Sequence, residues 1–237
     1  MLMMGAAGFG ALRRIAWPGF NGAIVRCDFK REAWLPAHFD ALGIVYPVNL
    51  RRAAARRQAE YLAGRWCAWD ALQVLDADAR QAVAIPSGPD RAPQWPRGIT
   101  GSITHHASAA CCAVARSASY QGVGIDVELC MDSQTAADNA RLIACPAEQA
   151  LLRCQENRFE WLLTLAFSAK ESLFKAVYPA IRNYFDFLDV QIVGLDPGQG
   201  RLVMELGRAL APSFPAGRRF SAAYHANADE VLTLVCY

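Results

Sequence analysis

The order of apolar and polar positions divides the chain into a helix, a loop, and then alternating strands and helices. From residue 50 to 75, "LRRAAARRQAEYLAGRWCAWDALQVL" is rich in Ala, Leu, Arg and Gln and predicts the first strong helix. The Pro- and Gly-rich "PSGPDRAPQWPRGITGS", residues 86–102, cannot be a regular element and predicts a long loop of the kind that often carries function. "SAACCAVARS" reads as a small-residue buried strand or short helix, and "YQGVGIDVEL" as a strand entered through glycines. "PAEQALLR", residues 146–153, opens a helix with Pro at its first position and Glu148 two later. Over 159–180, Leu162, Leu165, Ala166, Ala169, Leu173, Ala176 and Val177 recur at helical spacing and form one apolar stripe. "LDVQIVGLD", "RLVMELG", "RRFSAAYHA" and "EVLTLVCY" then read as successive short strands. Helices grouped before a terminal meander give an α+β class.

Composition narrows the function classes. The 237 residues suit one large domain or two small ones with a real core. With 54% hydrophobic and 19% charged residues and a net charge of +2, the chain is globular, and its charge makes no case for nucleic acid or a membrane surface. It has no apolar run of about 18 residues, so no membrane span is expected. The opening "MLMMGAAGFGALRR" lacks a basic segment before its apolar run and reads poorly as a secretory signal, so a cytoplasmic location is expected. Eight cysteines without a CxxC pair, and only four histidines, argue against structural zinc and for reduced, mostly buried thiols.

Four constellations carry chemistry. In "GIDVE", Asp126 and Glu128 point to one strand face, with Val123, Ile125 and Val127 on the other, toward the core. Adjacent carboxylates repel unless a cation sits between them, and Mg²⁺ takes one or two carboxylates together with phosphate oxygens and water. A solvated face is the commoner use of such a pair. In "FSAKESLFKA", Glu171 and Lys175 share a helix face opposite the apolar stripe. Only three of the 24 basic residues are lysine, and two of them are Lys170 and Lys175. Lysine is a titratable point charge for which arginine is no substitute, so its retention argues for a specific task beyond a surface ion pair. "GSITHH" places Thr104 and His105 after a loop that contains Arg91 and Arg97, an assembly suited to phosphate. In "ARRQAEYLAGR", Arg57 and Arg65 share a side with Tyr61 between them, which suits phosphate binding and a solvated basic face equally.

"GIDVE", followed about forty residues later by "TLAFSAKESLFKA", resembles the signature pair of the 4′-phosphopantetheinyl transferases, most closely the enterobactin synthetase component D-like subgroup of the Sfp-type superfamily. "RRQAEYLAGR", "PQWPRGITGSITHH" and the terminal "EVLTLV" agree in order and spacing, so the resemblance runs from about residue 50 to the end. It implies transfer of the 4′-phosphopantetheine arm of coenzyme A to a serine of an acyl or peptidyl carrier protein, releasing adenosine 3′,5′-bisphosphate. It also implies a pseudo-twofold pair of α+β halves, 1–120 and 121–237, with the active site between them, working as a monomer. Asp126 and Glu171 would ligate Mg²⁺, with Glu128 as a third carboxylate near the metal. Lys175 would contact the coenzyme phosphates, and His105, Arg91 and Arg57 its 3′-phosphate. Arg65, Thr104 and Lys170 are further candidates for coenzyme contacts, although pairing with an acid elsewhere is a second reading of Lys170. Glu171 is the expected base for the carrier serine, with Glu128 competing. Gln58 departs from the pattern where a second basic residue is expected. A Mg²⁺-dependent phosphoester hydrolase and a catalytically silent binding module are the rival readings.

Overall fold

The computed structural model describes residues 8–75, 84–155 and 158–237. The chain divides into two compact units, Met1–Gln121 and Gly122–Tyr237.

The first unit is a four-stranded antiparallel sheet packed on a long helix. Its strands are β1 (Arg13–Arg14), β2 (Gly22–Asp28), β3 (Ile99–His105) and β4 (Ala109–Arg116), in the order β1-β2-β4-β3. Helix α1 (Ala37–Ala41) is short, and α2 (Ala55–Leu75) is the predicted first helix, beginning five residues later than expected because Val48–Arg52 form a 3₁₀ turn. The small-residue segment resolves as strand, and Ala109–Ala115 are fully buried along it. Ala59, Leu62, Ala63, Trp66 and Cys67 of α2 join Val25, Cys27 and Cys112 in one core. Gly64 permits that approach, since a Cβ there would lie 2.7 Å from Ile103 Cγ2. Strand β3 begins at Ile99, inside the predicted loop, and the Trp95 indole N–H anchors the preceding segment on the Gly101 carbonyl at 2.8 Å. Gln58, the departure from the basic pattern, is buried and structural, bonded to the Tyr46 hydroxyl and the Ala53 carbonyl.

The second unit is a five-stranded antiparallel sheet in the order β5-β9-β8-β7-β6. Its elements are β5 (Val123–Leu129), α3 (Ser133–Ile143), α4 (Pro146–Arg153), α5 (Phe159–Ile181), β6 (Val190–Asp196), β7 (Arg201–Leu206), β8 (Arg219–Ala226) and β9 (Glu230–Cys236). All seven stripe residues of α5 are buried in its core.

A second stripe on α5, Thr164, Ser168 and Ser172 at four-residue spacing, is also fully buried. Ser168 and Ser172 bond the Thr233 hydroxyl of β9 at 2.9 and 2.7 Å. Ser168 also donates to the Asp126 carbonyl at 3.3 Å. These short side chains let backbone meet backbone. A Cβ on Gly124 would stand 1.8 Å from the Ser172 carbonyl oxygen. Because side chains alternate along a strand, Asp126 and Glu128 share the face of Gly124, the one covered by α5. Asp126 is therefore only 2% exposed, which excludes the solvated face.

Gly124→Ala is expected to cost about 3 kcal/mol or more in chemical denaturation, the upper range for overpacking against rigid backbone. Gly194→Ala, whose Cβ would meet Val203 at an ordinary 3.7 Å, is expected to cost less than about 1 kcal/mol.

Candidate active site

Strand β5 and helix α5 bring together Asp126, Glu128, Glu171 and Lys175. Lys175 Nζ lies 2.5 Å from Asp126 Oδ1 and donates more weakly to the Ile125 carbonyl at 3.4 Å. Glu128 is half-buried and its pKa is pushed up to about 8, first by burial and then by the Asp126 charge; Lys175 opposes the shift and Glu171 adds to it. Burial also raises Glu171, with Lys175 opposing and Asp126 adding. On the helix, Lys175 lies in line with the small-residue stripe that holds β5 and Glu171 at its edge, so both reach the strand's acids. They are half-buried, not on the open polar face that the helical wheel predicts.

Among the described residues, no three His, Cys, Asp or Glu side chains close into a ready ligand set. The donors suit Mg²⁺ nonetheless. They are hard carboxylate oxygens, two of them, Glu128 and Glu171, made harder to ionise by burial and by the neighbouring Asp126 charge, and Mg²⁺ characteristically completes such an open set with substrate phosphate and water.

Lys170 lies apart from this group. It is 1% exposed, and Nζ is spent on Glu148 Oε1 at 2.6 Å and the carbonyls of Ile143 and Phe187 at 2.7 and 3.0 Å. An ammonium has three donors, and all three are used. The expected coenzyme contact is thereby corrected in favour of pairing with an acid. Next to Glu171 lies a cavity of about 70 Å³ walled by Phe174, Tyr184, Phe185 and Phe187.

A second cluster forms in the first unit. Arg57 Nη1 is 3.0 Å from His105 Nε2, and Glu60 lies 3.9 Å from Arg57 and 3.7 Å from His105 Nδ1. Arg31, in the stretch that carried little of the resemblance, pairs with the other oxygen of Glu60. Two arginines and a histidine around one carboxylate form a cationic site able to receive a phosphate.

Other expected residues are not joined to that cluster. Thr104 is buried, and by strand alternation faces away from His105. Arg91 is exposed on its loop, with a left-handed backbone at φ 65°. Arg65 is buried, stacked over the Tyr61 ring at 4.6 Å and bonded to Ser87 Oγ at 2.9 Å. It lines a largely apolar cavity of about 190 Å³ with Tyr61 and Trp69. Glu60 and Arg31 were missed because a glutamate inside a basic helix and an arginine in an unpatterned segment carry no spacing signal. All eight cysteines are free, four of them buried and Cys154 exposed.

Comparison with known proteins gives the chain's family. Residues 47–115 match a 4′-phosphopantetheinyl transferase N-terminal domain, and residues 122–229 match the 4′-phosphopantetheinyl transferase superfamily. Over 167 residues the chain is 37% identical to enterobactin synthase component D of Escherichia coli O157:H7, covering 69% of this chain and 76% of that protein. The chain belongs to the 4′-phosphopantetheinyl transferase superfamily. It is also 40% identical over 143 residues to enterobactin synthase component D of Salmonella typhi, covering 60% of this chain and 54% of that relative. The 4′-phosphopantetheinyl transferase Svp of Streptomyces mobaraensis is 31% identical over 199 residues, 79% of this chain and 75% of that one. The superfamily match ends at residue 229 and so takes in the whole of β5 and α5, which carry the acids and Lys175. No helix among the described residues is long and apolar enough to cross a membrane.

The raised pKa of Glu128 has a consequence for stability. Between its ordinary value of 4.5 and about 8, the folded chain binds more protons than the unfolded one, so stability falls as pH rises through that window. In thermal melts of metal-free protein, the wild type is expected to lose stability from about pH 5 to about pH 8, with Glu128→Gln removing most of that slope. An unchanged slope in the variant would contradict the account.

Proposed function

We propose that the protein transfers the 4′-phosphopantetheine group of coenzyme A to a serine of an apo carrier protein, leaving adenosine 3′,5′-bisphosphate. The observation that carries this reading is the grouping of Asp126, Glu128, Glu171 and Lys175 across β5 and α5. Coenzyme A brings a pyrophosphate and a 3′-phosphate, and the two units carry chemistry for each: carboxylates with one lysine in the second, an Arg–His cluster in the first.

Asp126, Glu171 and Glu128 would hold Mg²⁺, which when bound supplies charge neutralisation at the pyrophosphate. The carrier serine hydroxyl is a weak nucleophile until its proton is removed. Glu171 is the base in this reading, with Glu128 the alternative, since burial raises the proton affinity of both carboxylates above that of an ordinary glutamate. As the serine oxygen bonds to phosphorus, the bond to the bridging oxygen breaks. The departing phosphate of adenosine 3′,5′-bisphosphate then carries charge that Lys175 stabilises. Holding Lys175 on Asp126 keeps the ammonium oriented before substrate arrives. Arg57 and His105, with Arg31 behind Glu60, receive the 3′-phosphate. The carrier protein is the macromolecular substrate on which this chain acts, and the reading needs neither nucleic acid nor a membrane.

Incubation with coenzyme A, Mg²⁺ and an apo carrier is expected to add the mass of phosphopantetheine to the carrier. Asp126→Asn and Glu171→Gln should each lower the rate at least about 100-fold in folded protein. Phosphate loss from coenzyme A without carrier gain would instead mean hydrolysis. A separate measurement tests the cationic cluster: Arg57→Ala and His105→Ala should each raise KM for coenzyme A about tenfold while leaving KM for dephospho-coenzyme A nearly unchanged. Equal effects on both compounds would remove the 3′-phosphate from that cluster.

A further inference from the structure

We infer that Lys170 and Glu148 form a positioning device that fixes the Glu171 segment and the aromatic wall beside it. The inference rests on the transferase reading above. Lys170 precedes Glu171 in α5, and its ammonium gathers three acceptors from separate segments: Glu148 of α4, the terminal carbonyl of α3 at Ile143, and Phe187 in the turn before β6. Glu148 extends the tie. Its Oε1 also accepts from the Ile192 amide of β6 at 2.8 Å, and its Oε2 from the Cys145 amide at the start of α4 at 2.8 Å. One buried pair therefore joins α3, α4, α5, β6 and the Phe187 turn.

Its placement favours a role beyond general stability. Phe187 is both a ligand of the Lys170 ammonium and a wall of the cavity that reaches Glu171. Lys170 thus sets the distance between the helix bearing the base and the opposite wall. The ammonium also sits on the unsatisfied carbonyl end of α3, where a cation is favoured. A compact ammonium suits three converging oxygens, whereas the longer planar guanidinium does not. Neither partner touches substrate, and both act through Glu171.

The test uses steady-state transfer together with amide hydrogen exchange on the full chain. Lys170→Met is expected to lower kcat at least about tenfold with KM for coenzyme A within about threefold, because small displacements of a base are costly. The Ile192 and Cys145 amides should exchange faster while core strands stay protected. The double variant Lys170→Met/Glu148→Gln removes the uncompensated charge while its amide oxygen still accepts from one of the Ile192 and Cys145 amides, so it should recover part of the thermal stability, yet kcat should stay low. It decides the matter if the single variant does not fold. A double variant with wild-type kcat would reduce the pair to a purely structural role, and a raised KM at unchanged kcat would make Lys170 a coenzyme contact; either overturns the inference. Should the wild type transfer nothing, the transferase reading fails separately, while unchanged exchange at Ile192 and Cys145 would still overturn the anchor.

Discussion

The meeting of β5 with α5 is the constraint on which the site depends. Strand and helix usually keep a layer of side chains between them, but here Gly124 lies against the Ser172 carbonyl, and Ser168, Ser172 and Thr233 fill the seam with short hydroxyls. That closeness sinks Asp126 to 2% exposure and puts it within reach of Lys175. Any larger side chain at Gly124 would push the strand away and separate the acids from Glu171 and Lys175 together.

Burial then sets the electrostatics. Carboxylates taken from water resist ionisation, and three of them near one lysine reinforce that resistance, which is why Glu128 is pushed up to about 8. A site that strains to hold negative charge is poised for a cation. The two lysines divide the work five residues apart. Lys175 faces the acids, where a titratable donor is useful. Lys170 faces inward, where a small three-donor charge closes a buried junction. Arginine, used elsewhere in the chain, suits neither position.

The second unit was largely legible in the sequence, since its helices and strands follow clean periodicities and its signature acids stand at fixed spacing. Helix α4 spans Pro146–Arg153 as its proline and glutamate signal, and the apolar stripe of α5 is buried as expected. The stripe of Thr164, Ser168 and Ser172 carried no hydrophobic signal, so the depth of Asp126 was invisible. The sequence offered an acidic partner as one reading of Lys170 but not its identity as Glu148, because α4 and α5 meet only through tertiary packing. In the first unit, β2 and Arg31 lay in a segment without strong periodicity, and the pairing of Glu60 with Arg31 joins residues far apart in sequence. Family resemblance placed His105 and Arg57 together, which periodicity alone would not have done.

In the transferase reading proposed above, the β5–α5 carboxylates hold a divalent cation at the pyrophosphate of coenzyme A. Phosphorus NMR of bound coenzyme A with substoichiometric Mn²⁺ in place of Mg²⁺ tests it most directly. The pyrophosphate resonances should broaden far more than the 3′-phosphate resonance, and the broadening should disappear in Asp126→Asn. Broadening strongest at the 3′-phosphate, or undiminished without the Asp126 carboxylate, would contradict it.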